Sequence, residues 1–134
     1  MEIKGNMSDL PQERPVLWAG SSKRDLMAMP DDVQDDFGFG LGQAQQGKHP
    51  DIGKPMKGFG GASVIELSYD RKGDAFRAVY TVKFEEVLIV LHAFQKKSKQ
   101  KRETPKRDMD LIHSRLKIAE EIYKEWKLKG RKNG

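Results

Sequence analysis

Two apolar runs dominate the pattern of the chain: Arg77-Ala-Val-Tyr-Thr-Val-Lys-Phe84 and Val87-Leu-Ile-Val-Leu-His-Ala-Phe94. Their length and β-branched content predict strands over 75–84 and 87–95. A third strand is predicted at 63–69. The turns Tyr69-Asp-Arg-Lys-Gly-Asp74 and Glu85-Glu86 then make the three an antiparallel meander. Further on, Met109, Ile112, Leu116, Ala119, Tyr123 and Trp126 recur at spacings of three and four, the stripe of a long amphipathic helix. Thr104 as N-cap and Pro105 at the first helical position start it, and Asp108 and Asp110 complement its dipole.

The N-terminal half is more broken. Arg14 to Ala19 reads as a short strand, Pro15 pointing to an edge position. Ser21 and Ser22 are candidate caps for a helix from about Lys23 to Met29, stopped by Pro30. Asp31 and Asp32 cap a second helix carrying Val33, Phe37, Leu41 and Ala44 at helical spacing. Gly38, Gly40 and Gly42 interrupt it at a cost of about 1 kcal/mol each relative to alanine. They lie inside the periodic segment, not between a strand and a helix, so close helix packing is the better reading than a phosphate-cradling loop. Gln45 to Gly61, rich in Gly and Pro, reads as a loop that includes His49, Lys54 and Lys57.

Length and composition narrow the class. At 134 residues, 37% hydrophobic and 34% charged, the chain suits one domain with a modest core. That domain is expected over 14–130, with 1–13 a disordered arm and 131–134 a flexible tail. The absence of cysteine excludes disulfides, thiolate metal sites and cysteine nucleophiles. No apolar run approaches the roughly 20 residues of a membrane span, and no signal-peptide core is present, so a cytoplasmic location is expected. His49 has no second ligand at metal-site spacing, and no metal or other cofactor is expected. Charge is unevenly placed: residues 1–94 hold 11 Lys and Arg against 14 Asp and Glu, whereas 95–107 hold seven against Glu103 alone. A patch of that kind concentrates phosphates and steers polyanions.

A two-residue loop at Glu85-Glu86 pairs Phe84 with Val87, Thr81 with Val90, Val79 with His92 and Arg77 with Phe94. A four-residue turn over Arg71–Asp74 pairs Ser68 with Arg77 and Glu66 with Val79. One face then carries Phe76, Ala78, Tyr80, Val82 and Phe84 against Ala93, Leu91, Ile89 and Val87. This is the predicted core, with Ile112 and Leu116 joining it from the helix. The other face carries Glu66, Ser68, Arg77, Lys83 and His92, leads into Lys96 and Lys97, and is expected to be open and functional.

Lys57-Gly-Phe, Phe76-Arg-Ala-Val-Tyr-Thr-Val, Leu91-His-Ala-Phe-Gln-Lys-Lys-Ser98 and Thr104-Pro-Lys-Arg-Asp-Met-Asp-Leu111 resemble the phage-related branch of the RelE/HigB toxin superfamily, from about Val16 to Glu121. The resemblance implies an α+β fold, an antiparallel sheet packed by N-terminal helices and a long C-terminal helix. It implies an endoribonuclease toxin acting on mRNA on the ribosome, silenced by a cognate helix-turn-helix antitoxin. It also places Arg77 on the family's strand arginine and Lys96-Lys97 on its basic cleavage-site position. Metal-free RNA cleavage needs a base for the 2′-OH, cations for the phosphorane and an acid for the leaving oxygen. His92 or Glu66 suits the base, Arg77 the phosphate clamp, and Lys96 or Lys97 the stabiliser or acid. Phe94 suits base stacking, while Lys54, Lys57, Lys83, Lys99, Lys101 and Arg102 suit phosphate contacts. No equivalent of the family's C-terminal tyrosine is found, because Tyr123 lies on the apolar stripe. A non-catalytic nucleic-acid-binding module and a phage accessory protein are the alternatives. Codon preference and oligomeric state are not legible.

Overall fold

The computed structural model of the chain describes residues 13–96 and 103–133, the side chains of 131–133 excepted. The expected disordered arm, up to residue 12, lies outside the described residues, as do Lys97, Lys99, Lys101, Arg102 and Gly134.

The described residues form an α+β domain with the elements β1 (Val16–Trp18), α1 (Ser22–Met27), α2 (Asp31–Gln45), β2 (Gly53–Pro55), β3 (Val64–Arg71), β4 (Asp74–Thr81), β5 (Leu88–Lys96) and α3 (Lys106–Asn133). The sheet order is β1-β5-β4-β3-β2. The meander is as the sequence predicts, but two strands flank it. β1 pairs with β5 in parallel, so the sheet is mixed. β2, inside the stretch read as a loop, pairs antiparallel with β3. Pro15 and Pro55 sit at or beside the sheet edges, where a missing N–H is tolerated.

Helix starts follow the sequence with one reassignment each. Pro30, not Asp31, occupies the N-cap of α2. Asp32 is instead spent on Arg71 at 2.7 Å and on the hydroxyl of Tyr69, which ties α2 to β3. Gln34 donates to the carbonyls of Met27 and Met29 and so closes the end of α1. At α3 the Thr104 hydroxyl donates to Glu66 rather than capping the helix.

The single-core expectation is corrected. Val33, Phe37, Leu41 and Ala44 of α2 pack on Ile65, Leu67, Phe76, Ala78, Tyr80, Leu88 and Val90, on one side of the sheet. On the other side Ile112 and Ala119 of α3, with half-buried Leu116, pack on Val64, Val79, Ile89 and Leu91. Ile89 and Leu91 therefore belong to a different layer from Phe76 and Tyr80. The cause is a bulge. The β4–β5 register matches the predicted one from Arg77↔Phe94 to Val79↔His92, then shifts so that Tyr80 meets Val90 and Thr81 meets Ile89. The extra residue, Leu91, shares the α3 side with His92, as a bulge puts two residues opposite one. The expected tight Glu85-Glu86 hairpin is replaced by a longer loop in which Glu86 takes a φ of 78°. The face expected to be open is covered by α3 over much of its area. The unbroken apolar run Val87-Leu-Ile-Val-Leu91 is the corresponding sequence signal, since strands buried on both sides lose their alternation.

Candidate functional site

Three cross-strand rows run across the α3 side of the sheet, from beneath the first turns of α3 toward the β3–β4 turn. The first is Lys54, Glu66, Val79 and His92; the second Ser68, Arg77 and Phe94; the third Asp70, Ala75 and Lys96. The turn that sets this register is tight, with Lys72 at φ 48° and Gly73 at φ 86°, as a two-residue hairpin requires. Glu66, Arg77, His92, Phe94 and Lys96 therefore share one surface. Lys83 does not: it lies past the far end of β4, its ammonium 5.7 Å from the Phe84 ring centre.

Lys96 is buried, at 7% exposure. Burial pushes its ammonium below the ordinary lysine range, the cations of Arg77 and Lys54 push the same way, and Glu66 and Asp70 oppose them. Arg77 Nη1 donates to Asp70 Oδ1 at 2.8 Å and to its neighbour's carbonyl, Phe76 O. A cation poised by a carboxylate near the β3–β4 turn and a lysine of lowered proton affinity form a pair fitted to an anion and to proton transfer.

His92 is placed differently from its expected role as a base. Nε2 lies 2.8 Å from Asp108 Oδ1, and Arg115 Nη1 lies 3.3 Å from Nδ1. Arginine only donates, so Nδ1 accepts and the ring proton sits on Nε2, directed at Asp108. Both nitrogens are engaged, and the ring stacks on Phe94 with centroids 4.7 Å apart. Phe94 in turn is buried, so its stacking partner is His92. Arg115 also donates to Leu91 O and to Ser21 Oγ, while Ser21 donates to Asp25. A buried hydrogen-bonded chain thus runs from α3 through β5 to α1.

Asp108 and Arg115 were the residues missed. Asp108 reads in sequence as a dipole charge and Arg115 as part of a polar run. The available signal was spacing: Arg115 stands three after Ile112 and four before Ala119, on the stripe itself.

Beside the first row lies a cleft of ≈ 530 Å³ between β2, the following loop and the start of α3, lined by Lys54, Met56, Lys57, Glu66, Glu103, Thr104 and Met109 among others. The loop is held to α3 where Phe59 stacks on His113, centroids 4.2 Å apart, and at Gly58, φ 95°, an added side-chain carbon would meet the Met109 methyl at 3.4 Å. His113 is otherwise exposed, as its sequence position suggests. His49 contacts Gly53 O, and no group of three or more metal-ligating side chains occurs among the described residues.

A mixed sheet with two helices between its first and second strands, a long helix after it and a lysine–arginine pair at one end defines an α+β protein. The chain belongs to the family described as Phage derived protein Gp49-like, a RelE-like toxin family, whose model matches residues 24–117. That span runs from α1 into the first half of α3 and includes every described site residue. Among solved structures, the toxin–antitoxin complex RelBE2 from Mycobacterium tuberculosis is similar at 18% identity and a TM-score of 0.44, over 67% of this chain and 97% of that one. No curated protein matches the chain. No helix among the described residues is long and apolar enough to cross a membrane.

Proposed function

We propose that this protein is the toxin of a toxin–antitoxin pair and an endoribonuclease that cuts mRNA on the ribosome, held silent by a helix-turn-helix antitoxin. Membership of a RelE-like toxin family supports the toxin role. The observation that carries the chemistry is the buried Lys96 beside Arg77, on the surface that also holds Glu66 and Lys54. In this reading Lys96, once deprotonated, takes the 2′-OH proton and the 2′-oxygen attacks the adjacent phosphorus. Arg77 and the newly charged Lys96 stabilise the phosphorane. The 5′-oxygen leaves with a proton from solvent, and the upstream fragment ends in a 2′,3′-cyclic phosphate. His92 is a positioning residue in this reading, since Asp108 and Arg115 occupy its nitrogens.

The test is cleavage of mRNA on translating ribosomes by the purified chain, free of antitoxin. Arg77→Ala and Lys96→Met should each lower turnover by at least about a hundredfold, the scale of a lost acid–base or charge-stabilising group, with ribosome binding nearly unchanged. Lys97→Ala is expected to act in the same direction. Because the base is a lysine of lowered proton affinity, the wild-type rate should rise with pH and level off below the ordinary lysine pKa. Intact mRNA with folded protein sinks the nuclease reading.

A further inference from the structure

The cleft beside β2 takes no part in the chemistry proposed above, yet it is built. At ≈ 530 Å³ it falls in the size range of small-molecule sites. Its walls are of three kinds. Met56 is buried and held by its N–H to Val64 O at 2.8 Å, and with Met109 it supplies polarizable thioethers, which pack well against aromatic rings. Lys54 and Lys57 are exposed cations at its margin, which exposed Glu103 offsets in part. Glu66, only 6% exposed, lines it with one oxygen 3.3 Å from the Thr104 hydroxyl.

An apolar slot with a polar edge beside two cations suits a nucleobase carried on a phosphate backbone. The polar edge decides which base. A carboxylate offers two acceptor oxygens and no donor, with about four lone-pair positions in all, so the Thr104 hydroxyl leaves room for more. Guanine presents two adjacent donors on its Watson–Crick edge, N1–H and the N2 amine, which match two carboxylate oxygens. Adenine and cytosine set their amine beside an acceptor nitrogen. Uracil flanks its one N–H with two carbonyls, which a carboxylate repels.

We propose that this cleft is a guanine subsite: Glu66 accepts N1–H and N2–H of a splayed guanine, Met56 and Met109 cover its ring, and Lys54 and Lys57 hold the flanking phosphates. It rests on the RNA reading above and gives the enzyme a base preference next to the reacting phosphate. Glu66 is here a recognition residue, and its contact with Thr104 fixes the carboxylate in place.

The test is titration of the full chain with GMP, AMP, CMP and UMP, followed by amide chemical shifts in NMR. GMP should bind about tenfold more tightly than the other three, the scale of one bidentate base contact. Glu66→Gln, which keeps an acceptor for Thr104, should bring GMP down to their level. Met109→Ala should weaken all four. Equal affinities, a GMP preference that survives Glu66→Gln, or no saturable shift at millimolar nucleotide would each overturn the subsite. None of these measurements requires cleavage. GMP binding by a chain that leaves mRNA intact would sink the nuclease and keep the subsite, whereas cleavage without any GMP preference would sink the subsite alone.

Discussion

Arg115 shows how one side chain can tie three elements together. The extra residue of a bulge loses its ladder partner, and the carbonyl of Leu91 finds one in Arg115 Nη1 at 3.0 Å. The same guanidinium serves His92 and Ser21, and Gly20 lets it lie close: a side-chain carbon at Gly20 would come within 2.8 Å of Arg115 Nε. Arg115→Ala leaves Leu91 O and His92 Nδ1 buried without a donor, so a loss of about 2–4 kcal/mol is expected. Asp108→Asn keeps an acceptor for the Nε2 proton and should cost under about 1 kcal/mol. Urea unfolding of the two variants, compared with wild type, measures both. Equal losses would show that the chain of hydrogen bonds does not hold the layers as described. The pairing of Arg77 with Ser68 and of Glu66 with Val79 was legible from the turn Arg71–Asp74, which fixes parity, whereas Arg77 meets Phe94 as expected although the tight Glu85-Glu86 hairpin is replaced by a longer loop. The Arg115 contacts were not legible, because a charged residue on an apolar stripe is visible as an anomaly only once its partners on other elements are known.

Among the elements, the six longer ones were legible because each has a clean period or a clean stop. The two three-residue strands were not: β1 was visible as a strand but not its parallel partner, and β2 hid in a Gly- and Pro-rich stretch. The bulge carried no local signature, and it alone moved Ile89 and Leu91 to the other layer. The glycines of α2 were half explained. Gly40 is buried, where an added carbon would meet Leu67 at 3.4 Å, whereas around Gly38 and Gly42 nothing lies within 4 Å. Close packing therefore accounts for one glycine, and nothing in the structure explains the other two. Both lie in the helix interior, so Gly38→Ala with Gly42→Ala should raise stability by about 1–2 kcal/mol in thermal or urea melts. A loss would mean that α2 depends on a backbone geometry an alanine does not adopt.

For the whole molecule, charge and topology are the governing features. Net positive charge gathers in the last third of the sequence, and the fold sets Lys54, from far upstream, near Lys96 at the end of β5 where that stretch begins, with Lys57 in the cleft beside it. If both contact phosphates, Lys54→Gln with Lys57→Gln should weaken RNA binding and flatten its salt dependence by up to two charges in the log–log slope. Isothermal titration at three salt concentrations reads this directly, and an unchanged slope would make them solvated surface. The topology carries a consequence in time. β1 lies beside β5, and Arg115, deep in α3, closes on Ser21 of the first helix turn. Contacts of such long sequence separation form late and slowly. A ribosome building this chain thus carries, until β5 has emerged, a sheet without its parallel edge, and until α3 has emerged, one without a cover on that side. Leu91 O and His92 Nδ1 gain their donor only once Arg115 has been made and α3 has docked, so the α3 layer is the last part of the fold to be finished.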